Sequence, residues 1–251
     1  MPTRPVTDGA AGAGGAPRLA PGGRLAGLRR WFARRCVVCD LEDGDPLCAG
    51  CARDYFAVDV ARCASCALRL PAHAAPVERC GNCLRSPPQF DATVALADYA
   101  APVDRMIGAL KFGGRLPLAD AFGTLLARVA QGPLRTADAI CPVPLAFERQ
   151  AQRGFNQAHE IARRIAAASG RPLRPAILLR TRHTVAQMDL ALAERQRNVR
   201  GAFVARVDLA GTHIVVVDDV MTTGATLGEV AAALKRGGAA RVTNLVVART
   251  P

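Results

Sequence analysis

Four C-x-x-C pairs lie within the first 83 residues, and they constrain the fold of that region more than any other feature of the sequence. The eight thiols are those of Cys36, Cys39, Cys48, Cys51, Cys63, Cys66, Cys80 and Cys83. Each pair places two sulfur atoms on one tight turn, and two such turns facing each other make the tetrahedral four-sulfur site that zinc prefers. The sequence therefore predicts two structural zinc ions.

A metal would supply the folding energy that this cysteine region lacks, because it has few large apolar side chains. Zinc binding by cysteine-rich peptides contributes roughly 10–16 kcal/mol. Redox-active pairs of the thioredoxin type are the alternative, but four pairs in one loop-rich block are not typical of them. The spacing leaves open which pairs share a metal, and an interleaved pairing is compatible with it. A site closed by four cysteines has no free coordination position, so we expect no catalysis there.

The N-terminal segment, residues 1–35, is rich in Gly, Ala, Pro and Arg, with seven Arg and a single acidic residue, Asp8. This composition predicts a disordered basic segment. Positions 24–35 could form a short amphipathic helix, which either packs against the next module or lies on an acidic surface. The segment has no apolar signal region, and no apolar run in the chain reaches the ~20 residues that span a bilayer. We therefore expect a cytoplasmic protein with reduced thiols.

The whole chain of 251 residues carries a formal net charge of +12, which favours anionic partners such as phosphates or nucleic acid. Half of the residues are hydrophobic, so a wholly disordered protein is excluded. Aromatic residues make up only 4%, which argues against a broad surface for stacking nucleic-acid bases.

Beyond Pro87 and Pro88 the sequence alternates between strand and helix patterns. Apolar runs predict strands at 91–99, 139–143, 176–179, 213–217 and 241–248, and helical spacing predicts helices at 103–112, 116–130, 157–169 and 226–236. Asn156 is a candidate N-cap of the third helix, and Gly170 ends it. The alternation predicts an α/β fold with a parallel sheet flanked by helices. We therefore divide the chain into a basic segment (1–35), a double zinc-ribbon module (36–86) and an α/β domain (87–251).

The strand predicted at 213–217 continues directly into two acidic residues and a loop of small residues, in the segment VVVVDDVMTTGAT. Asp218 and Asp219 would lie at the carboxyl end of a parallel strand, where open α/β sheets bind ligands. Carboxylates there can accept hydrogen bonds from a vicinal diol, directly or through a metal. The following loop can offer backbone N–H groups and Thr hydroxyls to a phosphate at the positive end of the next helix.

A purely structural role fits this segment less well. An acidic helix cap would account for one Asp but not for the pair, the hydroxyl-rich loop and the strand together. The segment is not a P-loop, because no G-x-x-x-x-G-K-[ST] is present, and no G-x-G-x-x-G follows a strand.

The segment VVVVDDVMTTGAT resembles the phosphoribosyl-pyrophosphate (PRPP) motif of type I phosphoribosyltransferases. Three further segments are similar to one branch of them, the ComF family of competence-associated proteins: LKFGGRLPLA, CPVPLAFERQAQRGFNQAHEIA and RTRHTVAQMDLALAERQRNVRGAF. The N-terminal double zinc ribbon also matches. The resemblance covers about residues 36–250 and implies a type I phosphoribosyltransferase-like fold.

The resemblance also implies site residues. Asp218 and Asp219 would hold the ribose hydroxyls and assist Mg²⁺, which arrives with PRPP. The 5′-phosphate would lie in the loop that comprises Val220, Met221, Thr222, Thr223, Gly224, Ala225 and Thr226. Four arginines are candidate partners of the pyrophosphate or belong to a loop that closes over PRPP: Arg149, Arg153, Arg180 and Arg182. Planar guanidinium groups suit phosphate oxygens, although a solvated surface or nucleic-acid contacts would also explain these arginines.

Two functions of different classes follow. In the first, the protein is an enzyme that transfers phosphoribose from PRPP to an acceptor and releases pyrophosphate. In the second, it is a non-catalytic adaptor with the PRPP fold that binds single-stranded DNA during natural transformation, beside a competence helicase. The carboxylate pair, the loop and the arginines favour the first, and the zinc ribbons and the net charge suit the second.

Overall fold

The computed structural model describes residues 35–41, 47–56, 60–71, 78–181 and 199–251. The predicted helix at 24–35 and the N-terminal segment lie outside the described residues, apart from Arg35. Arg182 also lies outside them. Within the described ranges, no helix is both long and apolar enough to cross a bilayer.

The described chain contains short helices in its cysteine region, followed by alternating strands and helices. The helices are α1 (Ala49–Tyr55), α2 (Gly81–Arg85), α3 (Val103–Gly113), α4 (Pro117–Val129), α5 (Gln131–Thr136), α6 (Phe147–Arg153), α7 (Gln157–Ser169) and α8 (Ala225–Arg236). The strands are β1 (Ala92–Asp98), β2 (Ala139–Pro142), β3 (Leu178–Arg180), β4 (Phe203–Ala205), β5 (His213–Met221) and β6 (Arg241–Arg249).

Four of these strands form a parallel sheet in the order β1-β6-β5-β2. The register pairs Val217 of β5 with Pro142 of β2 on one side and with Leu245 of β6 on the other. The carboxyl ends of β2, β5 and β6 therefore meet at one edge of the sheet. The predicted parallel sheet flanked by helices is confirmed.

Side chains of β5 alternate between two apolar cores, one on each face of the sheet. Val215 and Val217 pack on the face that is covered by α4 and α7. Ile214 and Val216 pack on the other face, together with α8. Burial on both faces explains why β5 begins as an unbroken β-branched run.

The two groups of cysteines pack on opposite faces of this sheet. Cys36, Cys48 and Cys51 join the core that contains Leu96 and Phe122. All four cysteines of the second group join the core that contains Phe90 and Met221. Each cysteine group is therefore supported by a different apolar core.

The long elements lie within a few residues of the predicted ones. The Asn156 side chain accepts hydrogen bonds from the N–H groups of Ala158 and His159, and Gly170 ends α7 in the left-handed region, as predicted. The sequence patterns did not indicate α5, α6 or β4, and two of the predicted strands differ from the observed ones. The strand predicted at 176–179 lies at 178–180, after a 3₁₀ turn (Pro175–Ile177), and pairs antiparallel with β4 outside the main sheet. The strand predicted to end at 217 runs to Met221, because its pairing with β6 continues to Arg249.

Candidate functional site

The eight paired cysteines form two groups of four that are consecutive in the chain. One group is Cys36, Cys39, Cys48 and Cys51, and the other is Cys63, Cys66, Cys80 and Cys83. Within each group the four sulfur atoms lie within 4.8 Å of one another. All nine cysteines of the chain are free thiols. The structure thus brings together the predicted ligands and separates them into two tetrads.

The sulfur spacing fits zinc. With Zn–S bonds of about 2.3 Å, a tetrahedral site has sulfurs roughly 3.8 Å apart. Cys39 Sγ and Cys48 Sγ are 3.6 Å apart, and Cys66 Sγ and Cys80 Sγ are 3.7 Å apart. These donors and distances suit two structural zinc ions.

Backbone N–H groups lower the pKa of one thiol in each tetrad. Burial raises the pKa of Cys63, but N–H groups of Cys66, Cys80 and Ser65 outweigh it, and the pKa falls to about 7. Cys36 behaves in the same way, with a pKa of about 6. Because the thiolate is the form that binds a metal, one sulfur of each tetrad is already poised for it.

The carboxylate pair lies at the end of β5, beside the turn that follows β2. Val143 N–H donates to Val217 O at 2.9 Å, which holds this turn next to Asp218. Asp219 is buried and Asp218 is half-buried. Burial and the negative charge of Asp219 both raise the pKa of Asp218 above its usual range. Because two adjacent carboxylates repel each other, a cation or hydrogen-bond donors nearby would stabilise them.

Lys111, at the end of α3, provides a cation next to this pair. Its Nζ lies 2.6 Å from Asp219 Oδ2, and both side chains are largely buried. Sequence reasoning did not assign Lys111 to the site, although it lies in the segment LKFGGRLPLA. Only the fold places the end of α3 beside the end of β5.

The loop after the carboxylates is shaped by Gly224. This residue has φ +82°, and a Cβ atom there would lie 2.6 Å from Met221 Cε. Ala225 N–H donates to Thr223 Oγ1 at 3.2 Å, and the first hydrogen bond of α8 runs from Gly228 N–H to Gly224 O. As at any helix start, the N–H groups of the first turn lack helical acceptors, so an anion can accept from them.

Three of the four predicted arginines converge near the carboxylates. Burial lowers the pKa of Arg153, with Asp219 opposing and Arg149 adding to the effect. Burial and Arg149 likewise lower the pKa of Arg180, with Asp218 opposing. Arg149 and Arg153 both belong to α6, and Arg180 contacts the carbonyl of Pro144 just before that helix, so the three arginines share one region. The structure says nothing of Arg182.

Contacts hold two of these arginines in place. Arg153 Nη1 donates to Gln157 Oε1 at 3.0 Å, and its guanidinium lies 5.1 Å from the centre of the Phe112 ring. Arg180 Nη1 donates to Pro144 O at 3.5 Å, and its guanidinium lies 5.5 Å from the Phe203 ring. Both are therefore ordered around the carboxyl end of the sheet.

A cavity of about 860 Å³ lies beside the loop. Its lining includes Thr223, Gly224 and Ala225 of the loop, residues of the second tetrad, and Pro87, Pro88 and Phe90. Arg200, Glu229 and Arg249 add charged groups. Sequence reasoning did not find this cavity, because its lining comes from five separate parts of the chain.

Known proteins share both the domain and the chain organisation. A family model described as the phosphoribosyl transferase domain matches residues 137–251. The DNA utilization protein YhgH of Salmonella typhimurium is 37% identical over 210 residues, which cover 81% of this chain and 90% of that protein. Competence protein F of Haemophilus influenzae is 30% identical over 224 residues, which cover 84% of this chain and 95% of that protein. The chain belongs to the ComF family.

Membership in the ComF family confirms the resemblance drawn from the sequence motifs. A shorter match, 31% identical over 118 residues and 44% of each chain, joins it to competence protein ComFC of Bacillus subtilis. The phosphoribosyltransferase-type domain contains the carboxylate pair, the loop and the three described arginines. The two cysteine tetrads precede this domain and could each hold a metal ion, as the zinc-ribbon prediction requires. The assignments of individual PRPP contacts stay predictions.

Proposed function

We propose that the protein binds PRPP and transfers its phosphoribosyl group to an acceptor, with release of pyrophosphate. The observation that carries this proposal is the position of the Asp218–Asp219 carboxylate pair and a phosphate-type loop at the end of one central strand. This strand belongs to a phosphoribosyltransferase domain. Three arginines and Lys111 surround the pair, so one site combines groups for a diol, a phosphate and a second anion.

The loop would hold the 5′-phosphate. Phosphate oxygens accept hydrogen bonds from backbone N–H groups, and the first turn of α8 offers such groups with the positive end of the helix dipole. Thr222, Thr223 and Thr226 add hydroxyl donors. Gly224 lets the backbone turn at positive φ and approach the ligand closely.

Asp218 and Asp219 would accept hydrogen bonds from the ribose hydroxyls. They would also stabilise positive charge that develops on the sugar ring as the bond to pyrophosphate breaks. When bound, Mg²⁺ would neutralise phosphate charge, and it would arrive mainly with PRPP because it prefers substrate phosphates to all-protein sites. Lys111 already neutralises Asp219, so Asp218 is the carboxylate more open to a cation.

Arg149, Arg153 and Arg180 would neutralise the pyrophosphate, with Arg182 as a further candidate. A guanidinium group can donate two parallel hydrogen bonds to phosphate oxygens. The repulsion of Arg149 with Arg153 and with Arg180 favours the arrival of an anion beside them. Their role as leaving-group partners explains why cations gather around a site that also holds two carboxylates.

Calorimetry of the wild type and of the Asp218→Asn/Asp219→Asn variant, each with and without Mg²⁺, tests the proposal. PRPP should bind the wild type in a Mg²⁺-dependent manner, and the double variant should lose this affinity and any turnover. Ribose 5-phosphate should bind both proteins weakly, because its phosphate contacts the loop rather than the carboxylates. Asp208→Asn removes an exposed carboxylate elsewhere and serves as the control. Equal PRPP affinity in all four measurements would show that the carboxylate pair is structural.

The alternative function is a non-catalytic adaptor that binds single-stranded DNA, working with a competence helicase. The relatives named for DNA utilization and competence support it, as does the net charge of +12. In that case DNA affinity should fall with salt, by ~0.7 in log K per phosphate contact for each tenfold rise in salt. Deleting residues 1–35, which contain seven Arg, should weaken binding and reduce this slope. DNA binding that is insensitive to salt would exclude a role for the basic residues.

A further inference from the structure

The second cysteine tetrad and the phosphate loop line the same cavity. Its lining includes Cys66, Cys80 and Cys83 as well as Thr223, Gly224 and Ala225. The first tetrad contributes nothing to this lining and packs against the core on the other face of the sheet. The two tetrads therefore differ, because only the second one lines the cavity beside the loop.

Arg249, the last residue of β6, joins the second tetrad to the base of the loop. Its side chain is buried, with 9% of the residue exposed. Nε donates to Cys66 O at 3.0 Å, and Nη1 donates to Met221 O at 3.4 Å and also to Thr250 O. Among the residues that the structure describes, no carboxylate lies within ion-pair distance of Arg249. The hydrogen bonds that the described residues accept from this buried side chain all go to carbonyl oxygens, so losing one of them is costly.

Met221 contacts both Arg249 and Gly224, and so connects the arginine to the loop. It ends β5, and its carbonyl accepts from both Arg249 and the Thr250 N–H, the latter at 3.0 Å. Its side chain lies against Gly224, where an added Cβ would come within 2.6 Å of Met221 Cε. Phe90, which follows the second tetrad in the chain, lies on the same glycine, 3.7 Å from that position. Any shift of Met221 would therefore move the turn at Gly224.

The cysteine turn is itself tied to the sheet at a second point. Thr93 N–H of β1 donates to Ala64 O, which lies between Cys63 and Cys66, at 3.2 Å. A metal bound by Cys63 and Cys66 would hold this turn closed, and so would hold the Cys66 carbonyl toward Arg249. Without the metal, the turn keeps its hydrogen bonds but loses the tie between the Cys63 and Cys66 sulfur atoms.

We propose that Arg249 is a positioning residue through which the metal-bound second tetrad sets the conformation of the phosphate loop. The first tetrad has no such role. The inference deepens the proposed function and depends on it only for the identity of the loop's ligand. The link itself does not require the loop's ligand.

Hydrogen exchange of the loop amides at 222–227 tests this link without any ligand. The zinc-loaded Arg249→Gln and Cys66→Ser variants should exchange these amides at least tenfold faster than the wild type. Arg241→Gln, at the opposite end of β6, and Cys39→Ser, in the first tetrad, should stay within twofold. Amides of the central strand at 214–217 report global opening and provide the internal reference in every protein.

Several outcomes would overturn the inference. Loop exchange in Arg249→Gln that matches the wild type excludes Arg249 as the connection. Equal acceleration in Cys39→Ser and Cys66→Ser, relative to the central strand, shows that the two tetrads do not differ. Should Cys66→Ser fail to fold, Arg249→Gln decides alone, since it keeps all eight thiols.

A combined Cys66→Ser/Arg249→Gln variant tests whether the two residues act through one route. Its loop exchange should be no faster than that of the faster single variant, whereas multiplied effects would indicate independent routes and refute the proposal. Calorimetry with ribose 5-phosphate then adds the functional readout, with at least tenfold weaker binding expected for Arg249→Gln. A wild type that fails to bind ribose 5-phosphate would refute the proposed function and leave the exchange comparison intact.

Discussion

Replacing Lys111 by Met is the most direct test of how the carboxylate pair is held in the folded protein. Lys111 is the one cation that the structure places within ion-pair distance of Asp219 among the described residues, with Nζ 2.6 Å from Oδ2. Only 6% of the Asp219 side chain and 21% of the Lys111 side chain are exposed. The substitution keeps most of the aliphatic volume and removes the charge, so Asp219 is left buried beside Asp218 with no cation of the described residues within ion-pair distance.

Removing one partner of a buried ion pair costs roughly 3–5 kcal/mol, because the other charge stays desolvated. Lys111 is slightly exposed, so water can partly replace it, and we expect a loss of about 3 kcal/mol in the free energy of unfolding. At roughly 2–4 °C per kcal/mol for a chain of this size, the melting temperature should fall by about 6–12 °C. A loss of this size would be a large fraction of the stability of an ordinary domain.

Lys235→Met is the matched control. Lys235 also pairs with an aspartate, with Nζ 2.9 Å from Asp91 Oδ1, but about a third of each side chain is exposed. Exposed pairs contribute up to about 1 kcal/mol, so this variant should lose less than that. The same chemical change at the two lysines thus separates the effect of burial from the effect of losing a lysine.

Urea denaturation of the two single variants and of Lys111→Met/Asp219→Asn provides the measurement. The double variant should recover most of the lost stability, because it removes the uncompensated charge as well. Losses that agree within about 1 kcal/mol for Lys111→Met and Lys235→Met would refute the reasoning. So would a double variant that is no more stable than Lys111→Met. If the pair behaves as expected, a cation that arrives with a ligand must compete with Lys111 for Asp219.

Three further predictions concern the loop, the metals and the helix packing. Gly224→Ala should weaken ribose 5-phosphate binding at least tenfold in calorimetry, because φ is +82° and Met221 occupies the space of the new methyl group. Gly228→Ala is the control, since the space around it is open, and it should leave binding unchanged. Metal analysis of the purified protein should find two zinc ions per chain, and iron or an absence of metal would contradict the tetrad assignment. Gly123→Ala should lower the free energy of unfolding by about 1–3 kcal/mol, because its Cβ would lie 2.8 Å from a backbone oxygen of α7. Gly132→Ala meets nothing within 4 Å, so in the same denaturation assay it should leave the free energy of unfolding unchanged or raise it by up to about 1 kcal/mol, since Ala favours a helix more than Gly does.

Local sequence signals located the long elements of the fold. The helix α7 was predicted with its bounds because Asn156 and Gly170 mark its two ends, and these signals act within a few residues. The end of β5 was predicted too early, since two adjacent acidic residues do not look like strand. Pairing with β6 keeps the strand going past them, and that pairing is a long-range property of the sheet.

The candidate site also combines residues that a local motif indicates with residues that only the fold brings together. Asp218, Asp219 and the loop to Thr226 are contiguous, so one motif could indicate them together. Lys111 and Arg249 lie at the ends of other elements, and only the packing of α3 and β6 brings them to the end of β5. Neither carries a local pattern that separates it from the many other basic residues of this chain.

C-x-x-C spacing does not determine which cysteine pairs share a metal, whereas the packing of the folded chain does. Both a consecutive and an interleaved pairing satisfy C-x-x-C spacing, since spacing alone does not fix which pairs meet. The sheet separates them, because the first tetrad packs on the face with Phe122 and the second on the face with Met221. An interleaved site would require ligands from both faces to meet through the sheet. The consecutive tetrads therefore follow from the same two-sided burial of β5 that places the carboxylates at its end.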